Sequence, residues 1–265
     1  MNSTPFVLYE AKDGVGIITL NRPERLNALN DDLLDQLLFV IENAGNDEGI
    51  RCLVLTGAGR GFCAGGDMKG FSQADLRAMP RQLAVEELRR RTRIVELLRD
   101  LPIVTIAAVN GACAGAGLSI ACATDLRFAA TSAVFRSAFI SSGLSGDFGS
   151  SWLLAQIVGA AKAREIVLLD ERITVDKALE MGLVTAILGD DELMTYVMEI
   201  ARRCSNSAPL ATRFTLENLS EVSVLTLSEA LGREADRHIE CALSQDALEA
   251  ANAFNEKRSP IFTGR

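Results

Sequence analysis

The chain has 265 residues, a net charge of −8 and 48% hydrophobic residues, which is enough apolar material for one sizeable α/β domain. The acidic balance argues against nucleic acid or anionic lipid as the main partner. Six cysteines without a C-x-x-C pair, with a single histidine, do not have the spacing of zinc ligands and predict reduced thiols in a cytoplasmic protein. No apolar run is as long as a membrane span, so we expect neither a metal nor a membrane partner.

Buried strands and helices alternate along the first part of the chain. Strands are predicted at residues 7–10, 15–20, 52–56, 103–109 and 126–129, and helices at residues 31–44, 82–100 and directly after Gly117. Asn30 is the predicted N-cap of the first helix and Gly45 its stop. From Gly149 onward the pattern is helical, with helices at residues 174–181, 192–205, 209–221, 227–243 and 246–256. This order predicts a parallel sheet with crossover helices.

Two glycine-rich loops follow two of the predicted strands. Residues 61–68 read Gly-Phe-Cys-Ala-Gly-Gly-Asp-Met, and residues 110–117 read Asn-Gly-Ala-Cys-Ala-Gly-Ala-Gly. Small residues let a ligand approach the backbone closely, and ligands bind at the carboxyl ends of parallel strands. The second loop also opens a helix, whose N-terminus stabilises a developing negative charge. Two such loops side by side would direct N–H groups at one oxygen atom.

Other interpretations of the glycines remain open at this point. Tight packing between strand and helix would also require small residues. A dinucleotide site is a weaker alternative, because Gly115 and Gly117 match two glycines of G-x-G-x-x-G while position 120 is isoleucine. The phosphate loop is absent, because the sequence contains no G-K-[ST]. A Ser-His-Asp hydrolase is also disfavoured, because the sole histidine, His238, lies in the predicted C-terminal helices.

Four segments, in order along nearly the whole chain, match one known pattern. They are residues 21–29 (Asn-Arg-Pro-Glu-Arg-Leu-Asn-Ala-Leu), the two loops at 61–68 and 110–117, and residues 253–258 (Ala-Phe-Asn-Glu-Lys-Arg). Together they resemble the N-terminal signature, the two oxyanion loops and the C-terminal segment of the crotonase (enoyl-CoA hydratase/isomerase) superfamily. The resemblance implies an α/β fold of the crotonase type, a ββα spiral with a helical C-terminal region.

The resemblance also implies a site for a coenzyme A thioester. The backbone N–H groups of Gly66 and Ala116 would form an oxyanion hole for the thioester carbonyl. The residues implied along the CoA moiety are Arg25, Leu26 and Ala28, with Ala64, Asp67 and Met68 at the adenine and with Phe254 and Lys257 near the phosphates. Because CoA is polyanionic, Arg25 and Lys257 would supply the positive charge that the net balance lacks. Outside the motifs, the same two residues would be ordinary surface cations.

The chain departs from the family's hydratase pattern at two positions. Hydratases of this family use two glutamates to position and activate water, and the matching positions here are Ser119 and Phe139. Asp147 stands where isomerases and some other branches have a catalytic aspartate. The Asp-x-Gly-x-x-Trp-Leu-Leu pattern that begins at Asp147, and the Lys-Arg-Ser-Pro-x-Phe-Thr-Gly ending, resemble an epoxide-isomerising branch of the family.

One carboxylate suits proton shuttling better than hydration, which also requires water to be held and protonated. Phe139 and Phe148 near Asp147 favour a raised pKa for its carboxyl, as a base for carbon acids requires. The alternative is that Asp147 caps the helix that begins near Phe148, which would lower its pKa. Phe139 and Trp152 are candidates for the acyl pocket, with core packing as the alternative.

We therefore expect an acyl-CoA enzyme acting through an enolate in fatty acid or aromatic acid catabolism, with no cofactor beyond the CoA of its substrate. A double-bond or epoxide isomerase with Asp147 as base and acid ranks first, ahead of an atypical hydratase and of a non-catalytic acyl-CoA-binding homologue. Residues 1–200 are expected to form the spiral core and residues 201–265 a helical oligomerisation region. The family implies a homotrimer or a dimer of trimers. Residues 71–81 are a candidate mobile cover of the acyl pocket.

Overall fold

A computed structural model describes residues 5–67 and 77–265. Its strands are β1 Val7–Lys12, β2 Val15–Leu20, β3 Cys52–Gly57, β4 Gly61–Cys63, β5 Val104–Val109, β6 Ala112–Ala114, β7 Leu126–Ala130, β8 Val134–Arg136, β9 Ile173–Thr174 and β10 Ala186–Leu188. The main sheet has the order β1-β2-β3-β5-β7-β10. β1 and β2 form an antiparallel hairpin across Asp13 and Gly14, whose φ angles of 53° and 76° suit a two-residue turn. The remaining neighbours are parallel, as the sequence predicts.

A second, smaller sheet has the order β4-β6-β8-β9. β4 and β6 pair in parallel inside the two glycine-rich segments, which the sequence predicts as uninterrupted loops. That prediction is wrong, because each of these strands has only three residues, which is too few to give an alternating strand pattern. The wholly helical interpretation after Gly149 is wrong for the same reason, since it misses β9 and β10.

The helices surround these sheets. They are α1 Asp31–Asn46, α2 Arg81–Asp100, α3 Ala116–Ala123, α4 Ser150–Leu169, α5 Val175–Glu180, α6 Leu193–Ser205, α7 Pro209–Glu221, α8 Leu227–Ala242 and α9 Gln245–Glu256. The predicted cap is confirmed, because the Asn30 side chain accepts a hydrogen bond from the Leu33 N–H at 3.1 Å. Gly45 is not the stop of α1. A Cβ there would lie 2.6 Å from Leu101 Cδ2, so the glycine lets the segment after α2 pack closely.

The core lies on both faces of the main sheet. On one face, α1 buries Leu33, Leu37 and Ile41, an apolar stripe at helical spacing that the sequence itself shows. The same cluster includes side chains of α2 and the apolar residues of α3, and α3 is buried along its whole length, so the end of the second glycine-rich segment is embedded in the core. On the other face, Val197 and Ala201 of α6 pack against strand residues. Burial of these apolar faces stabilises the sheet and fixes the strand ends at which the loops lie.

The C-terminal helices α7, α8 and α9 follow α6, and the last residues fold back on α9. The buried Asp246 carboxylate accepts hydrogen bonds from Thr263 N at 2.7 Å and Gly264 N at 2.8 Å. Arg51 donates to the Phe262 carbonyl at 3.0 Å, which ties the tail to the start of β3. Within the described ranges, no helix combines the length and apolar character needed to cross a bilayer.

Candidate active site

The N-terminal signature segment is fastened to the first glycine-rich segment by Asn27. Its side chain is fully buried, and its amide donates to the carbonyls of Ala58 at 3.0 Å and Gly61 at 2.7 Å. Its side-chain oxygen accepts from the Arg22 N–H at 2.8 Å. Leu26 and Asn27 both have positive φ, 49° and 56°, so the chain turns sharply here. Asn27 was not among the predicted site residues, although it lies inside the motif.

The same turn brings several predicted CoA contacts together. Ala64 N donates to the Leu26 carbonyl at 3.0 Å, and Leu26 packs against Gly61. Ala28 is buried beside them, whereas Arg25 is exposed. Residues that are nearly 40 positions apart in sequence therefore lie next to one another, and their role as contacts to one ligand stays a prediction.

Gly66 lies in a short parallel bridge with Leu29. Leu29 N donates to the Gly65 carbonyl at 2.7 Å, and Asp67 N donates to the Leu29 carbonyl at 2.8 Å. Gly66 lies between these two bonded residues, and in a parallel pair the N–H of such a residue turns away from the partner segment, here the one that carries Leu29. Gly66 is exposed, and no described atom lies within 4 Å of the position a Cβ would take. The Gly66 N–H takes no part in the bridge, and the residue leaves room beside it for a ligand.

Ala116 supplies the other predicted donor. It is the first residue of α3, where an N–H has no partner within the helix and carries the positive end of the helix dipole. The two glycine-rich segments are in direct contact beside it. A Cβ on Gly65 would lie 2.9 Å from the Ala114 carbonyl oxygen, and a Cβ on Gly117 would lie 2.3 Å from the Cys63 carbonyl oxygen. Glycine at these positions is therefore what allows the two loops to meet, which confirms the packing interpretation, and the ligand interpretation stays a prediction.

Asp147 lies next to α3. Its backbone carbonyl accepts from Ser150 N at 3.0 Å and lies 3.4 Å from Ser119 Oγ. Its carboxyl oxygen Oδ1 is buried and finds no hydrogen-bond partner among the described residues. Burial raises the pKa of this carboxyl to about 6. Phe139 and Phe148 are both buried nearby in the chain.

The alternative role of Asp147, capping the next helix, is not what the structure has. The N-cap of α4 is Gly149, at φ 69°, and no described side chain caps this helix end. The Asp147 carboxylate consequently gains none of the N–H contacts that would lower its pKa. A desolvated carboxyl with a pKa near 6 is suited to exchange protons with a carbon acid at neutral pH.

The segment that carries Phe139 is held by Asp170, a residue that sequence reasoning missed. The buried Asp170 carboxylate accepts from the N–H groups of Ala138 and Ser141, and Arg136 donates to its carbonyl at 2.8 Å. Burial alone would raise the pKa of Asp170, but the hydrogen bonds from Ser141 and Ala138 and the charge of Arg136 lower it below its ordinary value. This clamp holds Ala138 at φ 59° and so directs Phe139 inward, where its ring lies 3.9 Å from a Cβ position on Gly146.

Asp67, a predicted adenine contact, forms an ion pair with Arg22. The Arg22 Nη2 to Asp67 Oδ2 distance is 2.9 Å, and both side chains are 11% exposed. Arg22 also donates to the Ala28 carbonyl, and its guanidinium lies 5.5 Å from the centre of the Phe6 ring. The pair therefore joins the end of the first glycine-rich segment to the signature segment. Arg22 gave no signal in sequence, because its partner is 45 residues away.

Removing one member of this pair is expected to destabilise the protein. Asp67→Ala should lower the free energy of unfolding by about 3 kcal/mol, because it leaves the Arg22 guanidinium buried without this partner. Urea unfolding measures the change. The control is the double variant Arg22→Met/Asp67→Leu, which removes both charges and should recover part of the loss. The coupling would be contradicted by a loss in the double variant equal to the sum of the losses in Arg22→Met and Asp67→Leu measured singly.

The remaining predicted residues are more dispersed. Phe254 and Lys257, at the end of α9, are exposed in the single chain, with Phe254 84% exposed. Trp152 is half-exposed, with the Arg99 guanidinium 5.7 Å from its ring centre. Met68 and most of the segment at 71–81 lie outside the described residues. In the described ranges, 5–67 and 77–265, no three His, Cys, Asp or Glu side chains are grouped as metal ligands.

The motifs, the fold and the paired loops agree with one family. Residues 10–265 match the family described as enoyl-CoA hydratase/isomerase, and the chain belongs to it. The fold is that of crotonase-type enzymes, as predicted: an enoyl-CoA hydratase from Bacillus anthracis superposes with a TM-score of 0.89 at 30% identity, covering 98% of this chain and 100% of that one. The protein is thus a crotonase-family acyl-CoA enzyme.

Individual relatives carry two kinds of name. The chain is 36% identical to the 1,2-epoxyphenylacetyl-CoA isomerase of Escherichia coli (strain K12), over 98% of this chain and 99% of the relative. It is 32% identical to the short-chain-enoyl-CoA hydratase of Clostridium acetobutylicum, over 95% of each chain. The similarity to the isomerase agrees with the sequence patterns around Asp147 and at the C-terminus. The relatives of this chain thus include enzymes named for two different reactions, isomerisation and hydration, on the same fold.

Proposed function

We propose that the protein is an acyl-CoA isomerase that moves a double bond, or opens an epoxide, through a thioester enolate. The observation that carries this proposal is the Asp147 carboxyl, which is desolvated, lacks a described partner at Oδ1 and adjoins the helix that begins at Ala116. The two positions that match the hydratase glutamates hold Ser119 and Phe139, neither of which is an acid. One carboxylate is sufficient for proton transfer between two carbons of the same substrate.

The proposed reaction has two proton transfers. For a 3-enoyl thioester, ionised Asp147 removes a proton from carbon 2, and the electron pair moves onto the thioester oxygen. The N–H groups of Gly66 and Ala116 stabilise the resulting negative charge by hydrogen bonding. When the carbonyl re-forms, the double bond moves to carbons 2 and 3, and the protonated carboxyl returns the proton to carbon 4. Atoms and electrons balance within the substrate, so the reaction requires no cofactor beyond the CoA that the substrate carries.

CoA binding is proposed for the surface built by the signature segment and the first loop. Leu26, Ala28 and Ala64 lie together there, Asp67 is placed by Arg22, and Arg25 provides an exposed cation next to them. Met68 remains a proposed adenine contact by resemblance. Phe254 and Lys257 are proposed contacts to the CoA phosphates, from this chain or from a neighbouring subunit.

The test uses a 3-enoyl-CoA in D₂O. Isomerisation is followed by the absorbance of the conjugated 2-enoyl thioester, and deuterium uptake at carbons 2 and 4 by mass spectrometry. The proposal requires isomerisation, and deuterium at carbon 4 would show that the protonated carboxyl exchanges with solvent before it returns its proton. Addition of water to a 2-enoyl-CoA without isomerisation would instead support the hydratase, which the similarity to a short-chain-enoyl-CoA hydratase favours. Tight binding of the thioester without any exchange would support a non-catalytic acyl-CoA-binding homologue.

We further propose that residues 201–265 form an oligomerisation region and that the protein is a homotrimer or a dimer of trimers in the cytoplasm. Large apolar side chains stand exposed on this region, among them Leu227 at 77% and Leu243 at 82%. Such exposure is unfavourable in water unless a partner covers it. All six cysteines are free thiols, which agrees with a reducing compartment. Analytical ultracentrifugation should give three or six times the chain mass, and a monomer would contradict this proposal.

A further inference from the structure

The peptide unit between Gly115 and Ala116 has its carbonyl and its N–H on opposite sides, because the bond is trans. The N–H is the proposed donor to the enolate oxygen. The carbonyl of the same unit accepts from Ser119 N at 3.1 Å and lies 3.4 Å from Ser119 Oγ. The orientation of the donor is therefore tied to Ser119, one turn further along α3.

Ser119 also contacts the segment that carries the proposed base. Its Oγ lies 3.4 Å from the backbone carbonyl of Asp147, and the side chain is 1% exposed. The hydroxyl proton is thus shared between two carbonyl groups, those of Gly115 and Asp147. Because both acceptors are backbone oxygens, the hydroxyl acts as a donor, and no base among the described residues contacts it to make it a nucleophile.

The backbone around Asp147 gives this contact its importance. Gly146, Phe148 and Gly149 all have positive φ, at 106°, 47° and 69°, so the segment follows an unusual path. The Asp147 Oδ1 atom finds no described partner that would hold the carboxyl by its own hydrogen bond. The backbone must therefore set the position of the carboxyl, and the Asp147 carbonyl is one of its anchor points.

We propose that Ser119 is a positioning residue that fixes the Asp147 segment relative to the Gly115–Ala116 peptide, and hence the base relative to the oxyanion donor. This inference rests on the proposed function, because it assigns those two roles to Asp147 and Ala116. It also accounts for a small polar residue at the position that matches a hydratase glutamate.

The experiment compares Ser119→Ala with the matched control Ser137→Ala. Ser137 is equally buried and neighbours the same loop, with its carbonyl 3.8 Å from a Cβ position on Gly115. Its Oγ finds no described hydrogen-bond partner, so its removal should leave the rate unchanged. Ser119→Ala should lower kcat for 3-enoyl-CoA isomerisation about 3- to 10-fold, the effect of one hydrogen bond, with KM within about 2-fold. The pH at which its rate is half-maximal should fall below that of the native protein, because the loosened carboxyl becomes better hydrated.

A double variant separates positioning from general structural support. In the Asp147→Asn background, Ser119→Ala should slow the residual reaction by a smaller factor than in the native background, since there is no longer a base to position. Equal kcat and pH profiles for Ser119→Ala and Ser137→Ala would overturn the proposal. So would a Ser119→Ala substitution that slows the reaction by the same factor in the Asp147→Asn background as in the native background. If Asp147→Asn alone were fully active, the proposed function would fail first and the positioning role with it.

Discussion

Asp147→Asn is expected to isomerise a 3-enoyl-CoA at least about 100-fold more slowly than the native protein, the lower range for a general acid–base residue. The amide has nearly the shape of the carboxyl but does not take up a proton at neutral pH. Because the oxyanion donors and the CoA surface are unchanged, thioester affinity should remain within a few-fold of native. Stopped-flow absorbance and deuterium uptake measure the rate, and calorimetric titration with a non-isomerising acyl-CoA measures the affinity. An active variant would show that another group moves the proton.

The pH dependence of the isomerisation rate is a second test of Asp147 as the base. Since the base must be ionised, the native rate should rise with pH through about 6 and then level, following the pKa that burial gives Asp147. A folded-state pKa above the ordinary aspartate value also means that ionisation destabilises the folded protein. The stability that protonated Asp147 contributes should therefore be lost as pH rises from about 4 to about 6, and Asp147→Asn should be more stable than native above that window.

Asp176→Asn is the control for this pair of measurements. Asp176 is exposed in the first turn of α5, and its replacement makes the same change of charge. It should leave the rate and its pH profile unchanged. A native rate that is independent of pH between about 5 and 7 would remove the support for Asp147 as the base.

Gly117→Ala is expected to damage both stability and activity. A Cβ at this position would lie 2.3 Å from the Cys63 carbonyl oxygen and 2.7 Å from Cys63 Cβ, so α3 and β4 must separate. Overpacking of this kind costs about 3 kcal/mol in the free energy of unfolding, at the upper end of the usual range. The separation moves the Gly66 and Ala116 donors apart, and a displacement of about 1 Å reduces the rate about 100-fold.

Urea unfolding and the isomerisation assay test this expectation side by side. Gly232→Ala is the matched control, because Gly232 lies on the exposed face of α8 and no described atom is within 4 Å of its Cβ position. That variant should be more stable than native by about 0.5–1 kcal/mol, the helix propensity of alanine over glycine, with native activity. If Gly117→Ala were as stable and as active as the control, the contact between α3 and β4 would not set the site.

Local chemistry explains the features that could be predicted from sequence. The Asn30 cap, the apolar stripe of α1 and the buried strands β2, β3 and β5 follow from side-chain periodicity and capping within a dozen residues. The parallel sheet follows from the alternation of these elements. The family likewise followed from four short segments in order, because each motif is contiguous in the chain.

Features that depend on distant partners were not predictable in this way. Gly45 reads as a helix stop, but its role is contact with Leu101, which lies in another element. The Arg22–Asp67 pair and the Asp170 clamp join residues that are 45 and about 30 positions apart. Strands β4, β6, β9 and β10 are too short for a period-2 signal, and pairing with neighbours is what defines them.

From the sequence alone one could predict the kind of site: two loops of small residues, a cationic signature segment and one aspartate, with no acid at the two positions that match the hydratase glutamates. Whether Asp147 would be a helix cap or a desolvated carboxyl was decided by tertiary structure. Its backbone carbonyl bonds to Ser150 and contacts Ser119, Gly149 takes the cap position, and the carboxyl is left buried without a described partner at Oδ1. A pKa depends on what surrounds a group in three dimensions, and for Asp147 the burial that raises it arises only when the chain folds.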